Sequence, residues 1–243
     1  MTLADEIAGW IGEHIRGAGL SGAVLGLSGG IDSAVVSGLC ARAVGPENVL
    51  GIIMPAHSLP LDAEHAELVA REWGIEYKTI DLSEIYDSMI ALLGEGNDLA
   101  KANVKPRLRM ISLYYHANSS NRMVIGTGNK SELLVGYFTK YGDAGVDLLP
   151  IAGLYKHQVR DLAREIGVPQ PIIDRPPSAG LWEGQTDEQE MGVSYADLDR
   201  VLEAMETGEE PDVDPTARER IMRMYRGSEH KRHLPPIFQP GVR

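Results

Sequence analysis

Three short apolar runs separated by stretches of helical periodicity constrain this chain more than any other feature. "AVLGLS" (23–28), "NVLGIIMP" (48–55) and "IEYKTIDL" (75–82) read as strands. Between them "IDSAVVSGLCARAV" and "LPLDAEHAELVAREWG" read as helices, the first stopping at Gly45 and Pro46. Strands that alternate with helices build a parallel sheet with right-handed crossovers. The expected fold class is therefore α/β, a doubly wound open parallel sheet with helices on both faces.

The flanking segments fit that frame. Leu3, Ile7, Ile11 and Ile15 recur four apart and predict an N-terminal helix that packs on the sheet. After a helix at 82–93 and a turn at "GEGND", Pro106 suits the first position of a broadly apolar helix through "RLRMISLYYHAN", buried or facing a second copy. "RMVIGTGN" predicts a fourth strand and "LYKHQVRDLAREIG" an amphipathic helix. The four-proline stretch from 168 to 190 predicts irregular chain with one short edge strand. Helices near 194–206 and 214–226 precede an extended tail over 229–243. At 243 residues, one domain spanning 1–243 is expected.

Composition excludes several function classes. The net charge of −12, from 23 Lys and Arg against 35 Asp and Glu, opposes a general nucleic-acid surface. An anionic ligand must then be met by local cations, backbone amides or acids that hold a divalent ion. No apolar run reaches the roughly 20 residues needed to span a bilayer. The start "MTLADEIAGW" carries acids and reads as helix, not as a secretory leader. The lone Cys40, among small apolar residues, reads as a buried core thiol, which fits a reducing cytoplasm.

The chemistry concentrates where strands end. "SGGIDS" (28–33) turns strand one into helix one, at the sheet edge where open α/β folds bind ligands. Gly29 and Gly30 uncover backbone amides, Ser28 and Ser33 add hydroxyls, and the helix start favours negative charge. The spacing fits neither a Walker loop nor a dinucleotide fingerprint, and no lysine follows. Asp32 would repel phosphate unless a Mg²⁺ ion stood between them, and Glu132, after strand four, supplies a second carboxylate. No Ser-His-Asp or Cys-His set stands out, so positioning and electrostatics must carry the chemistry.

"SGGIDS" resembles the pyrophosphate loop of the N-type ATP pyrophosphatases. With "GTGNKSE", "GYFTKYGDAGVDLLPIAGLYKHQV", "PPSAGLWEGQTDEQEMGVSYADLD" and "HKRHLPP", the chain resembles the ammonia-dependent NAD synthetases along nearly its whole length. The resemblance implies an adenine nucleotide alpha hydrolase-like, Rossmann-like fold and a homodimer. It implies that Gly26, Leu27, Ser28, Gly29, Gly30, Ile31, Asp32 and Ser33 hold ATP phosphates, joined by Thr127, Lys156 and Ser178. Asp32 and Glu132 would be the magnesium ligands, and Arg107, Lys140, Asp147, His230 and Lys231 would hold deamido-NAD, Arg107 across a dimer interface. Three positions depart from the family's usual pattern: Ser178 replaces threonine, Ala144 replaces glycine, and "GNKSE" replaces an Asp-His variant.

The implied reaction has two steps. The carboxylate of deamido-NAD attacks the α phosphorus of ATP, releasing pyrophosphate, and ammonia then displaces AMP from the acyl adenylate to give NAD. Asp32, Lys156 and Asp143 are the expected catalytic residues, with Asp143 or Asp147 orienting ammonium and the His230, Lys231 and Arg232 tail folding over substrate. Cys40 is poorly placed for a glutaminase nucleophile, so free ammonia is the expected donor. Two alternatives stand beside this: another pyrophosphatase of the fold, such as a guanylate-forming amidase or a tRNA-thiolating enzyme, and a nucleotide sensor without chemistry.

Overall fold

The structure, a computed structural model, describes residues 1–178, 184 and 186–239. Its centre is a four-stranded sheet in which every neighbouring pair runs parallel, in the order β3-β2-β1-β4. Strand β1 is Gly22–Gly26, β2 Val49–Ile53, β3 Glu76–Thr79 and β4 Arg122–Val124. β1 and β2 are buried on both faces, which is why they read as unbroken apolar runs. The chain winds from β1 out to β3 and then returns to the other side of β1, so the switch point lies between the carboxyl ends of β1 and β4.

One face of the sheet carries α1 (Leu3–Gly17), α2 (Ile31–Val44), α3 (Pro60–Trp73) and α8 (Lys156–Ile166) around a core that includes Ile11, Leu25, Leu39, Val69 and Leu162. The other face carries α4 (Ser83–Leu93), the short α5 (Asp98–Ala102) and α6 (Val104–Ser120), with Val24, Ile52, Leu108 and Leu113 between. A third apolar cluster joins α7 (Lys130–Val135) to α11 (Tyr195–Thr207) and α12 (Pro215–Gly227) through Val135, Leu198 and Ile221. No helix among the described residues is long and apolar enough to cross a membrane. Cys40 is fully buried, and burial pushes its thiol up to about 12.

Several local expectations are corrected. Leu3 is exposed, because the buried stripe of α1 runs through Ala4, Ala8, Ile11 and Ile15. Pro106 is the third residue of α6, not the first; the amides of a helix's first turn are unbonded in any case, so proline is tolerated there too. β4 ends at Val124, and Ile125 continues only as a single parallel bridge to Leu148. Between 168 and 190 the described residues form no edge strand but two short helices, α9 (Gln170–Ile173) and α10 (Asp187–Met191), while 179–183 and 185 lie outside the described residues. The tail begins with one helical turn, α13 (Glu229–Arg232), before extending. Arg232 holds that turn down by donating to the carbonyls of Leu134 and Tyr225.

Candidate active site

At the switch point, three side chains from three elements meet. The Lys156 ammonium lies 2.5 Å from Asp32 Oδ2 and 3.1 Å from Glu132 Oε1. Each residue stands in the first turn of its helix, α2, α7 or α8, and those helix starts converge on the carboxyl edge. Asn129 ties two of them together. Its Oδ1 accepts the Glu132 amide as the cap of α7, and its Nδ2 donates to Asp32 Oδ1 at 3.2 Å. Asp199, buried on α11, accepts from the Ser131 hydroxyl and the His157 amide, and Ser131 in turn accepts the Lys156 amide. The start of α8 is thereby fixed by a chain of bonds around Lys156.

The electrostatics follow from burial. Lys156 is 2% exposed. Burial disfavours its charge, but the Asp32 and Glu132 carboxylates outweigh that and hold its pKa above the ordinary lysine value. Glu132 is pushed up to about 7, first by burial and then by the neighbouring Asp32 and Asp187 charges, against the pull of Lys156. The Tyr195 hydroxyl lies 2.9 Å from Glu132 and 3.0 Å from Asp187, and the Tyr137 hydroxyl lies 3.0 Å from Asp187 and 2.7 Å from Glu190. Burial and these carboxylates raise both phenols, so they stay neutral donors.

The glycine loop beside this cluster is shaped by two constraints. Gly29 has φ +74°, and a Cβ there would lie 2.4 Å from the Asp62 carbonyl oxygen. Ser33 is buried beneath the loop, where its hydroxyl meets Ser28 Oγ at 3.1 Å and donates to the Gly30 carbonyl.

A cavity of about 510 Å³ opens over these groups. Of the residues singled out in the sequence, Gly26, Leu27, Ser28, Gly30, Ile31, Asp32, Thr127, Glu132, Asp143, Lys156, Ser178 and Lys231 line it. Gly29 faces α3 instead, and Ser33 braces the loop from below. Arg107, Lys140, Asp147 and His230 stand outside the cavity wall. Asp147 is occupied in holding the fold, since it accepts the Tyr114 hydroxyl and the Val124 amide. Asp143 accepts the Thr139 amide, and burial raises its carboxyl above the usual range.

Four cations on the α6 side are bonded to backbone carbonyls rather than carboxylates. Arg107 donates to Asn103 and Lys140, Lys140 to His230, Lys231 to Gly136 and Phe138, and Arg109 to Met54. Among the described residues none of the four makes a direct ion pair, which suits an anionic ligand. The sequence reading missed Asn129, Tyr195, Asp187 and Tyr137. Asn129 carried a signal in "NKSE", an Asn followed three residues later by an acid, while nothing in sequence placed Tyr195 beside Glu132 or both tyrosines on Asp187.

Comparison with known proteins identifies the family of the chain. A family model described as NAD synthase matches residues 3–235. The NH(3)-dependent NAD(+) synthetase of Archaeoglobus fulgidus is 52% identical over 237 residues, covering 97% of this chain and 95% of its own. Among solved structures, NMN synthetase from Francisella tularensis superposes with a TM-score of 0.90 at 37% identity, covering 99% of this chain and 98% of its own. The NH3-dependent NAD synthetase from Campylobacter jejuni gives a TM-score of 0.85 at 33% identity, with 98% of each chain covered. With its glycine loop, its paired carboxylates across the switch point and full-length similarity to these proteins, the chain belongs to the NAD synthase family.

Proposed function

We propose that this protein is an ammonia-dependent NAD synthetase: it adenylates the nicotinate carboxylate of deamido-NAD with ATP and amidates the product with ammonia. The observation that carries this reading is the Asp32, Lys156 and Glu132 cluster beside the glycine loop, in a chain 52% identical to a synthetase of that name.

In the first step a carboxylate oxygen bonds to the α phosphorus and the bond from that phosphorus to the bridging oxygen breaks, so pyrophosphate leaves with the electron pair. The loop amides and Lys156 face the negative charge that accumulates on the departing group. In the second step ammonia bonds to the acyl carbon, AMP leaves, and one proton is released with the amide. Asp143, which lines the cavity, is our assignment for the acid that orients ammonium; Asp147, committed to Tyr114 and Val124, is not.

Asp32 and Glu132 offer an all-oxygen donor pair, which fits magnesium carried in with a triphosphate. Bound there, Mg²⁺ would neutralise phosphate charge. Thr127 and Ser178 add hydroxyls to the same wall for ATP, and Lys231 a cation for the acceptor. We assign Arg107, Lys140 and His230, outside the wall, to the outer part of the dinucleotide, completed by a second subunit. A homodimer fits the exposed apolar residues Ile111 and Tyr115 on α6. The cytoplasm fits a single buried cysteine.

A second reading is supported by the Francisella tularensis structure, whose name gives a mononucleotide product. The two readings differ in acceptor only. The test is to supply ATP, magnesium and ammonium chloride with either deamido-NAD or nicotinic acid mononucleotide. NAD and AMP in equal amounts, with the dinucleotide the better acceptor by kcat/KM, is the expected result. A better mononucleotide moves the assignment to the second reading, and absence of AMP with both removes it.

A further inference from the structure

One cation in the cavity wall has no part in the chemistry above. Arg109, on α6, is partly buried. Its Nε donates to the Met54 carbonyl at 3.1 Å and its Nη2 to Ser58 Oγ at 3.4 Å. Both partners are neutral. The nearest carboxylates that influence it, Asp143 and Asp62, act from beyond ion-pair distance. Each has a partner of its own: Asp62 is paired with Arg175, and Asp143 accepts the Thr139 amide. Among the described residues nothing accepts a hydrogen bond from Nη1 of Arg109, and its side chain lines the cavity.

Lys156 makes the contrast. It stands at the same sheet edge on the opposite face and is held directly by two carboxylates, so the fold itself supplies its counter-charge. Among the described residues the direct partners of Arg109 are a carbonyl and a hydroxyl, and the cavity carboxylates Asp62 and Asp143 act on it from beyond ion-pair distance. Desolvating a guanidinium without a counter-ion is unfavourable, and burial pulls its pKa down. A chain with 35 acidic residues had acids to place there. The planar fork of donors matches a phosphate or carboxylate in two-point contact.

We propose that Arg109 is a substrate-binding residue that takes an anionic oxygen group, phosphate or carboxylate, of a ligand entering the cavity from the β2 side. This rests on the reading of the cavity as the meeting place of ATP and deamido-NAD. Either substrate carries such a group, and the experiment separates them.

Wild type, Arg109→Met and Arg109→Lys are compared by thermal unfolding without ligand and by calorimetric titration with MgATP and with deamido-NAD separately. Arg109→Met keeps an unbranched apolar stem but removes the charge and the donor fork. Its ligand-free midpoint should equal or exceed that of wild type, while affinity for one of the two substrates falls about 10-fold or more. Arg109→Lys should recover part of that loss. The substrate affected identifies which of the two ligands Arg109 holds. Unchanged affinity for both would overturn the proposal, as would a lowered ligand-free midpoint with both affinities falling together, which marks Arg109 as a brace between Met54 and Ser58. Wild-type turnover to NAD, run alongside, reports on the functional reading separately. An inactive wild type overturns that reading, whereas an active wild type with an unaffected Arg109→Met variant overturns only this assignment.

Discussion

The Tyr195 hydroxyl lies 2.9 Å from Oε1 of Glu132, the same oxygen that faces the Lys156 ammonium. That hydroxyl also lies 3.0 Å from Asp187, so one proton is shared between two carboxylates on different elements. Tyr195 therefore positions Glu132 without reaching the reacting atoms. Tyr195→Phe removes the hydroxyl and keeps the packed ring. Partners of metal-binding carboxylates typically contribute about 10-fold to 100-fold in metal affinity. The magnesium concentration for half-maximal activity should rise by about that factor, with kcat at saturating magnesium changing less. An unchanged magnesium dependence would show that Asn129 and Lys156 suffice to hold Glu132.

The raised Glu132 pKa has a definite stability consequence. In the folded protein its carboxyl titrates at about 7, against an ordinary value of 4.5, so the folded state binds this proton more tightly than the unfolded state. The stabilisation is complete below the unfolded value and is lost as pH rises through about 7. Ligand-free wild type should lose thermal stability between pH 5 and pH 8 relative to Glu132→Gln, which has no proton to release there. Parallel pH profiles would refute the assignment.

Among the described residues Lys156 is the one cation in direct contact with both carboxylates, so its removal leaves them facing each other without a counter-charge in a desolvated site. Breaking a buried pair by deleting one partner costs about 3 to 5 kcal/mol. Lys156→Met should be destabilised by that order at pH 8 and less at pH 5, where Glu132 holds its proton. Its kcat should fall about 100-fold or more, from loss of charge stabilisation at the departing pyrophosphate. Denaturant unfolding at the two pH values, with steady-state kinetics, checks both halves.

The parallel sheet and the paired acids were legible for one physical reason. A buried parallel strand must be apolar along its length, and a phosphate site at its end must present glycine amides, so "AVLGLSGGIDS" encodes both at once. Lys156 could be matched by motif, but its burial could not, since an amphipathic pattern does not reveal that three helix starts converge. The outer residues were harder. Asp147 reads as a ligand in "TKYGDAGVD", yet both its oxygens are committed to Tyr114 and Val124, contacts made across sequence separations no local pattern encodes. Arg109 is one of several arginines in sequence, and only the fold shows that, among the described residues, it has no direct ion pair.

Gly29 offers a test of the loop that does not touch the charges. Its φ of +74° and the 2.4 Å approach of the Asp62 carbonyl leave no space for a Cβ. The obstructing atom is backbone, so it cannot swing aside. Gly29→Ala should be destabilised by about 1 to 3 kcal/mol and bind ATP more weakly, because Ser28 and Gly30 must move with it. A variant that unfolds like wild type and retains ATP affinity would show that the loop adapts without loss.

The outward face of α6 gives the last prediction. Ile111 and Tyr115, four apart, are 59% and 69% exposed, and α4, packed against α6, adds exposed Ile85 and Leu92. An apolar strip of this kind fits a second copy of the chain. Arg107 lies one helical turn before Ile111 and outside the cavity of its own chain, so association would bring it toward a neighbour's site. Sedimentation should give wild type a mass near twice 26.5 kDa. The double variant Ile111→Glu, Tyr115→Glu should sediment as a folded monomer with a KM for deamido-NAD raised about 10-fold and a KM for ATP closer to wild type. A wild type that sediments at the single-chain mass would end the dimer assignment and with it the role of Arg107 across the interface.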